Sequence, residues 1–192
     1  MKTKLAIAYF SGYGHTKKLV EAIAEGITSV DNTELKTYRI NANGEIPDTW
    51  LEELSEADAI IYGSPTYMGS VAWQFKKFAD ASGAVWSKRA WKNKIAGGFT
   101  VSGSTNGDKH STMSYLTTLA MQHGQIWVGL GLLSSNKKEH GPKDINWTGG
   151  YAGLLAIAPS DASPEEAPRK GDLETGILYG ARLAEITNQL KK

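Results

Sequence analysis

Ser11-Gly12-Tyr13-Gly14-His15-Thr16, near the start of the chain, sets two aliphatic hydroxyls, two glycines and a run of backbone N–H groups ahead of a segment with helical spacing. Such a turn at a helix N-terminus is an anion site. The helix dipole and the unpaired donors favour a phosphate, and glycine lets it approach the backbone closely. The plain alternative is a strand-to-helix turn with glycines for geometry alone. A P-loop would close a longer loop with Gly-Lys-Ser or Gly-Lys-Thr, which the chain lacks. A dinucleotide fingerprint would place glycine where Lys17 stands and an acid at Arg39-Ile40-Asn41. The turn therefore reads as a cradle for one phosphate. Lys17 and Lys18 either assist it or are solvated helix charges.

Two further loops carry unusual residues. Pro65-Thr66-Tyr67-Met68-Gly69-Ser70 sets two large side chains, Tyr67 and Met68, on a turn fixed by proline and glycine. Large side chains on an exposed loop need something to cover, and a planar ring would serve; packing on the parent domain is the alternative. Ser102-Gly103-Ser104-Thr105-Asn106-Gly107 is short and polar, with N–H groups suited to the carbonyl and ring-nitrogen edge of a heterocycle. Alone it would be a generic turn.

The surrounding pattern alternates strand and helix. Strands are expected at Lys4–Phe10, Glu34–Ile40, Asp58–Tyr62, Lys94–Val101 and Gln125–Leu132, the third ending at Gly63-Ser64-Pro65. Helices are expected at Thr16–Ser29, after a capping box at Thr49–Glu52, at Val71–Ser82, at Asp108–His123 and from an N-cap at Asp172 to Leu190. Lys137–Gly153 reads as an irregular lid or insertion. Five strand–helix repeats imply a parallel sheet covered by helices on both faces. Ligands then sit beyond the carboxyl ends of the strands, where strand order reverses, and the three loops follow strands one, three and four.

The chain has 192 residues, and a chain of that length buries roughly 70% of its unfolded surface, enough for one domain over residues 1–192. There is no cysteine, which excludes a disulfide framework, a thiolate nucleophile, a zinc–thiolate site and an iron–sulfur cluster; no metal site is expected. Electrons, if handled, need an organic carrier. A net charge of +1 lacks the basic face that nucleic acid demands. No stretch approaches the ~18 apolar residues that span a bilayer, and Met1–Leu5 lacks the pattern of a secretory signal, so a cytoplasmic location without membrane insertion is the default expectation. Asp58, Asp80 and Asp108 form no recognisable catalytic pair, so glycoside hydrolysis is not supported.

Ser11–Thr16, Pro65–Ser70 and Ser102–Gly107, with Gly83-Ala84-Val85-Trp86 and Thr117-Thr118-Leu119-Ala120 ahead of His123-Gly124, resemble the flavodoxin-like NAD(P)H:quinone oxidoreductases of the tryptophan-repressor-binding-protein (WrbA) type. The similarity runs over nearly the whole chain. It implies a flavodoxin-like three-layer α/β sandwich with a five-stranded sheet in the order 2-1-3-4-5. It also implies FMN, with Ser11, Gly12, Tyr13, Gly14, His15 and Thr16 at the phosphate. Pro65, Thr66, Tyr67, Met68 and Gly69, with Ser102, Gly103, Ser104, Thr105, Asn106 and Gly107, would surround the ring. Tyr13, Trp86 and His123 would line the face where NADH or NADPH and a quinone take turns, with Trp86 and His123 as catalytic residues. The family assembles as homo-oligomers, here a homodimer or homotetramer, with sites completed by a neighbouring subunit. The chain departs from the family in three places. The insertion after strand two is reduced to Asn41–Asp48, Tyr67 replaces a basic residue, and Gly-Gly-x-Pro-Tyr-Gly appears as Gly149-Gly150-Tyr151-Ala152-Gly153.

The cofactor would carry the chemistry, by hydride transfer from nicotinamide to flavin and two-electron transfer to the acceptor in a ping-pong cycle. Trp86 is a candidate to stack on ring or substrate, or else a core tryptophan. His123 would polarise a quinone oxygen, or else cap its helix. The rivals are a flavodoxin-type electron carrier, a reductase that releases FMN as product, and a non-enzymatic flavin-binding or regulatory protein.

Overall fold

The computed structural model describes residues 2–191. In chain order the elements are β1 (Thr3–Tyr9), α1 (His15–Thr28), β2 (Thr33–Arg39), α2 (Trp50–Ser55), β3 (Ala59–Tyr67), β4 (Ser70–Val71), α3 (Trp73–Ala81) and α4 (Gly83–Trp86). They continue with β5 (Ile95–Ser102), α5 (Lys109–Gln122), β6 (Ile126–Trp127), β7 (Leu154–Ile157) and α6 (Lys170–Leu190). The sheet runs β2-β1-β3-β5-β6, parallel throughout, with β7 beside the far half of β5 and β4 folded back antiparallel on β3. This is the flavodoxin-like order expected from the sequence, with strand order reversing beside β1.

Alternate residues of the central strands feed two cores, one on each face of the sheet. Leu5, Ile7, Ile61 and Phe99 pack with Leu19, Ile23, Tyr179 and Leu183 on the α1/α6 face. Ala6, Ala8, Ile60 and Tyr62 pack with Phe75, Phe78, Trp91 and Leu116 on the other.

Several boundaries differ from the sequence reading. β3 continues through Gly63-Ser64-Pro65 to Tyr67. The carbonyl of Gly63 points at β1 and accepts Phe10 N–H, so the nitrogen of Pro65, two residues on, points the same way, past the end of β1. A missing donor costs nothing there. Val71 then belongs to β4, and α3 starts at Trp73. The fifth strand is not continuous over Gln125–Leu132. It stops after Trp127, the chain leaves the sheet, and Leu154–Ile157 returns to fill the empty half of the β5 edge. At α2 no capping box forms: Thr49 has helical φ and ψ, and its hydroxyl donates to the Glu53 carboxylate at 2.7 Å. α6 starts two residues ahead of Asp172, which is inside the first turn and not its N-cap.

Helices α1 and α6 cross backbone to backbone. A Cβ on Gly180 would lie 2.1 Å from the carbonyl oxygen of Ile23, and one on Gly26 would lie 1.9 Å from that of Ile177. Neither partner atom can swing away. Gly180→Ala, a change that raises helix propensity, is therefore expected to lower stability by roughly 1–3 kcal/mol. Urea denaturation measures this; an unchanged or higher midpoint would show that the helices separate freely.

Candidate functional site

A cavity of about 550 Å³ opens at the carboxyl edge of the sheet, at the reversal of strand order. Four segments line it: Tyr13, His15 and Thr16 after β1; Pro65, Thr66 and Tyr67 at the end of β3; Val101, Ser102 and Gly103 at the end of β5; and Ala158, Pro159, Ser160 and Ala162 after β7. No Asp, Glu, Lys or Arg is among these residues.

The first loop has the form of an anion cradle. Gly14 takes φ +96°, left-handed, and a Cβ there would also stand 2.6 Å from Cγ of Pro164. Ser11 is buried and its hydroxyl accepts Lys17 N–H at 3.2 Å, while the carbonyl of Gly14 accepts Lys18 N–H. The N–H groups of His15 and Thr16, in the first turn of α1, have no acceptor within the helix. The Lys17 and Lys18 ammonium groups lie 3.5 and 3.9 Å from the Glu21 carboxylate, as helix-surface charges. The His15 ring nitrogen Nε2 donates to the carbonyl of Ala162 at 3.0 Å, tying the first loop to the segment after β7.

At the rim, the rings of Tyr13 and Tyr67 meet edge to face, 6.2 Å apart at 68°. Gly12 lies beneath the Tyr67 hydroxyl. Burial, with Tyr13 adding a smaller contribution, raises the pKa of Tyr67 and keeps it a neutral phenol. Below it the Thr66 hydroxyl donates to Thr112 and accepts from Thr100, both at 2.8 Å.

The sequence also placed residues around a ring that do not line the cavity. Met68 and Gly69 form the two-residue β3–β4 turn with positive φ, 47° and 76°, and Met68 is fully exposed. Their job is to reverse the chain, which a two-residue hairpin does with positive φ at both positions. Ser104, Thr105, Asn106 and Gly107 are outside the lining, and Lys109 donates to the carbonyls of the first three.

Trp86 and His123 lie apart from the cavity of their own chain. Both sit where strands begin, at the opposite end of α5 from the cavity. Trp86 Nε1 donates to the carbonyl of Gln122 at 2.8 Å. His123 is buried, its ring 4.3 Å from that of Trp91. Ser82 donates to the Ala79 carbonyl at 2.6 Å, so its oxygen accepts from Nε2 of His123 at 2.9 Å. Burial lowers the pKa of His123 to about 4, so the ring is neutral near pH 7. Within one chain neither residue reaches the cavity.

Two residues that sequence reasoning passed over shape the site. Lys109 is buried at the start of α5, and Nζ donates to Ser102 Oγ (2.8 Å) and to the carbonyls of Ser104 (2.7 Å) and Thr105 (2.9 Å). Burial lowers its pKa to about 8 against the opposing pull of Asp172. Asp172 is buried beside the end of β7 and accepts Ile157 N–H at 2.9 Å; burial raises its pKa to about 6. Unlike a surface lysine, Lys109 directly follows a short polar loop and opens a helix. That was the available signal.

An open parallel sheet with such a cradle and an adjoining uncharged slot has the form of a mononucleotide-binding α/β protein. Residues 7–139 match the family model described as NADPH-dependent FMN reductase, and the chain belongs to that family of oxidoreductases. It is 47% identical over 188 residues to Flavodoxin FldP of Pseudomonas aeruginosa (strain UCBPP-PA14), covering 98% of each chain. It is 31% identical to Quinone-oxidoreductase QR2 of Triphysaria versicolor, covering 100% of this chain and 98% of that one. Among solved structures, the flavodoxin, WrbA-like protein from Agrobacterium tumefaciens superposes with a TM-score of 0.78 at 41% identity, covering 98% of this chain and 99% of that one. An archaeal flavodoxin at 20% identity and TM-score 0.66 shares the fold.

The cavity fits FMN. It offers a phosphate cradle at a helix N-terminus, a cavity free of carboxylates, and polar loop backbone at one end. Gly14→Val is expected to weaken FMN binding by more than about tenfold, because left-handed backbone and Pro164 both oppose a side chain. Fluorescence quenching of titrated FMN measures it; unchanged affinity would place the phosphate elsewhere.

The Asp172 carboxyl gives a pH signature with a definite sign. Unfolded, it loses its proton in the ordinary carboxylate range, but folded only near pH 6. Between those values the folded state holds the extra proton, so this group's contribution to stability falls as pH rises. Relative to Asp172→Asn, the wild type should lose roughly 2–3 kcal/mol between about pH 4 and pH 7. Urea titrations of both proteins at the two pH values check this; a constant difference would refute it.

Proposed function

We propose that the chain oxidises NAD(P)H through FMN held in the carboxyl-edge cavity and passes two electrons to a quinone or a similar small planar acceptor. The observation that carries this reading is the convergence of the three loops on one slot lined by no carboxylate or ammonium group. FMN, when bound, supplies the redox chemistry, taking hydride from the nicotinamide and returning two electrons. The protein's part is to bind, orient and exclude. Backbone N–H groups at the start of α1 would hold the phosphate. Thr66, Ser102 and Gly103 would flank the ring. Tyr13 and Tyr67, an aromatic pair at the rim, would shape the opening through which donor and acceptor enter in turn.

The family name and the quinone-oxidoreductase relatives support turnover. The relative named a flavodoxin favours a second reading, a carrier that receives and delivers electrons without nicotinamide turnover. Twenty acids against twenty-one bases do not match the strongly acidic surface such carriers use for docking. The FMN-loaded protein mixed with NADH, NADPH and a quinone separates the two. The expected outcome is bleaching of the flavin band by a nicotinamide, its return on adding quinone, and sustained turnover. Bleaching without turnover would establish the carrier.

Assembly into a homodimer or homotetramer belongs to the same proposal. Trp86 is half exposed at the end of the molecule away from its own cavity, so it reaches a slot only in a neighbouring copy. Trp86→Ala is expected to lower kcat/KM for the quinone by about tenfold while FMN affinity holds. Equal kcat/KM would leave Trp86 a packing residue.

A further inference from the structure

Lys109 is the only buried lysine among the described residues. Its three protons meet three acceptors, Ser102 Oγ and the carbonyls of Ser104 and Thr105, at 2.7–2.9 Å. Its own N–H donates to the carbonyl of Asn106, closing the loop on the same residue. Ser102 lines the cavity and donates in turn to the Ser104 carbonyl at 3.0 Å. One side chain therefore ties residues 102–106 into a knot, and a positive charge stands one serine behind the cavity wall. The acid that faces it, Asp172, forms no ion pair with it and is spent on Ile157 N–H. With no carboxylate or ammonium group in the lining, Lys109 brings a full charge to the slot from behind.

We infer that Lys109 is a positioning residue of this cavity: its ammonium clamps the loop 102–105, whose Ser102 lines the wall, and provides the positive charge that favours the reduced form of the bound ring. The charge assignment rests on the FMN reading above; the clamp does not. Hydride leaving the nicotinamide carries two electrons and one proton. The nicotinamide gains one positive charge and the ring one negative charge. A buried cation beside the slot is poorly screened and stabilises that negative charge, one of the ways a protein tunes a flavin.

The test uses the full chain with Lys109→Met, Lys109→Arg and Asp172→Asn. In flavin-free protein, Lys109→Met should raise the rate of limited proteolysis within residues 102–107 by more than about tenfold relative to wild type. Unchanged cleavage overturns the clamp. With FMN bound, redox titration gives the ratio of reduced to oxidised FMN affinity. Lys109→Met should lower that ratio on the order of tenfold, and Lys109→Arg, which keeps the charge, should restore most of it. Asp172→Asn, which removes the opposing charge, should raise it, and gives the same reading should Lys109→Met fail to fold. A ratio unmoved by loss of either charge overturns the electrostatic role. A wild-type protein that takes up no FMN would sink the functional reading and the charge role together, and the proteolysis measurement would still decide the clamp.

Discussion

The site depends on how the outer edge of β5 is satisfied. A buried parallel strand must pair its backbone groups along its whole length. Here the first half of β5 pairs with Ile126–Trp127 and the second half with Leu154–Ile157, two segments separated by an excursion of the chain. Because β7 arrives at the carboxyl half, the residues after it emerge at the cavity. That gives the cavity its fourth wall, lets His15 reach Ala162, and brings Pro164 against Gly14. An unbroken fifth strand would carry different residues to that edge.

The electrostatics of the slot follow from the same arrangement. Charged side chains are kept out of the lining, and the nearby fields include the dipole of α1, the Arg39 guanidinium on the Ser11 carbonyl, and the separated charges of Lys109 and Asp172. Those two groups work on backbone. One gathers the loop after β5, and the other holds the last N–H of β7. Each is buried at a cost in solvation, and each holds the start of a loop that walls the cavity. Residues whose burial is costly and whose partners are main-chain atoms of the site are supports for shape as well as sources of field.

Much of this was legible in the residues. The Gly-Tyr-Gly-His turn, the buried strand ahead of it and the helix behind it form a local unit whose spacing fixes its geometry. The strand–helix alternation pointed to a parallel sheet covered on both faces, and the family resemblance supplied the strand order. Other features were hidden for physical reasons. Val128-Gly129-Leu130-Gly131-Leu132 alternates like a strand, yet Gly131 takes positive φ and Leu130 N–H pairs with the Tyr151 carbonyl, outside the sheet. Four residues, Leu154–Ile157, are too short to announce a strand by periodicity. Pro65 reads as a stop unless one knows that β1 has already ended. His123 looks like a free imidazole in the sequence, and only the packing against Trp91 and the bond to Ser82 show it to be neutral core.

Packing is distributed unevenly around the cavity. The first loop opens α1, which further along is packed on α6 through Gly26 and Gly180 at backbone contact. A preformed cradle of fixed dipoles needs no reorganisation to receive an anion. The β3–β4 turn is built the other way. Met68 stands fully exposed in left-handed backbone, on a two-residue hairpin beside the aromatic pair at the rim. A methionine held there costs about 1–2 kcal/mol relative to glycine, with no packing to offset it. The α1 side of the opening is thus held by helix packing, whereas the Met68-Gly69 tip rests on its own hairpin alone.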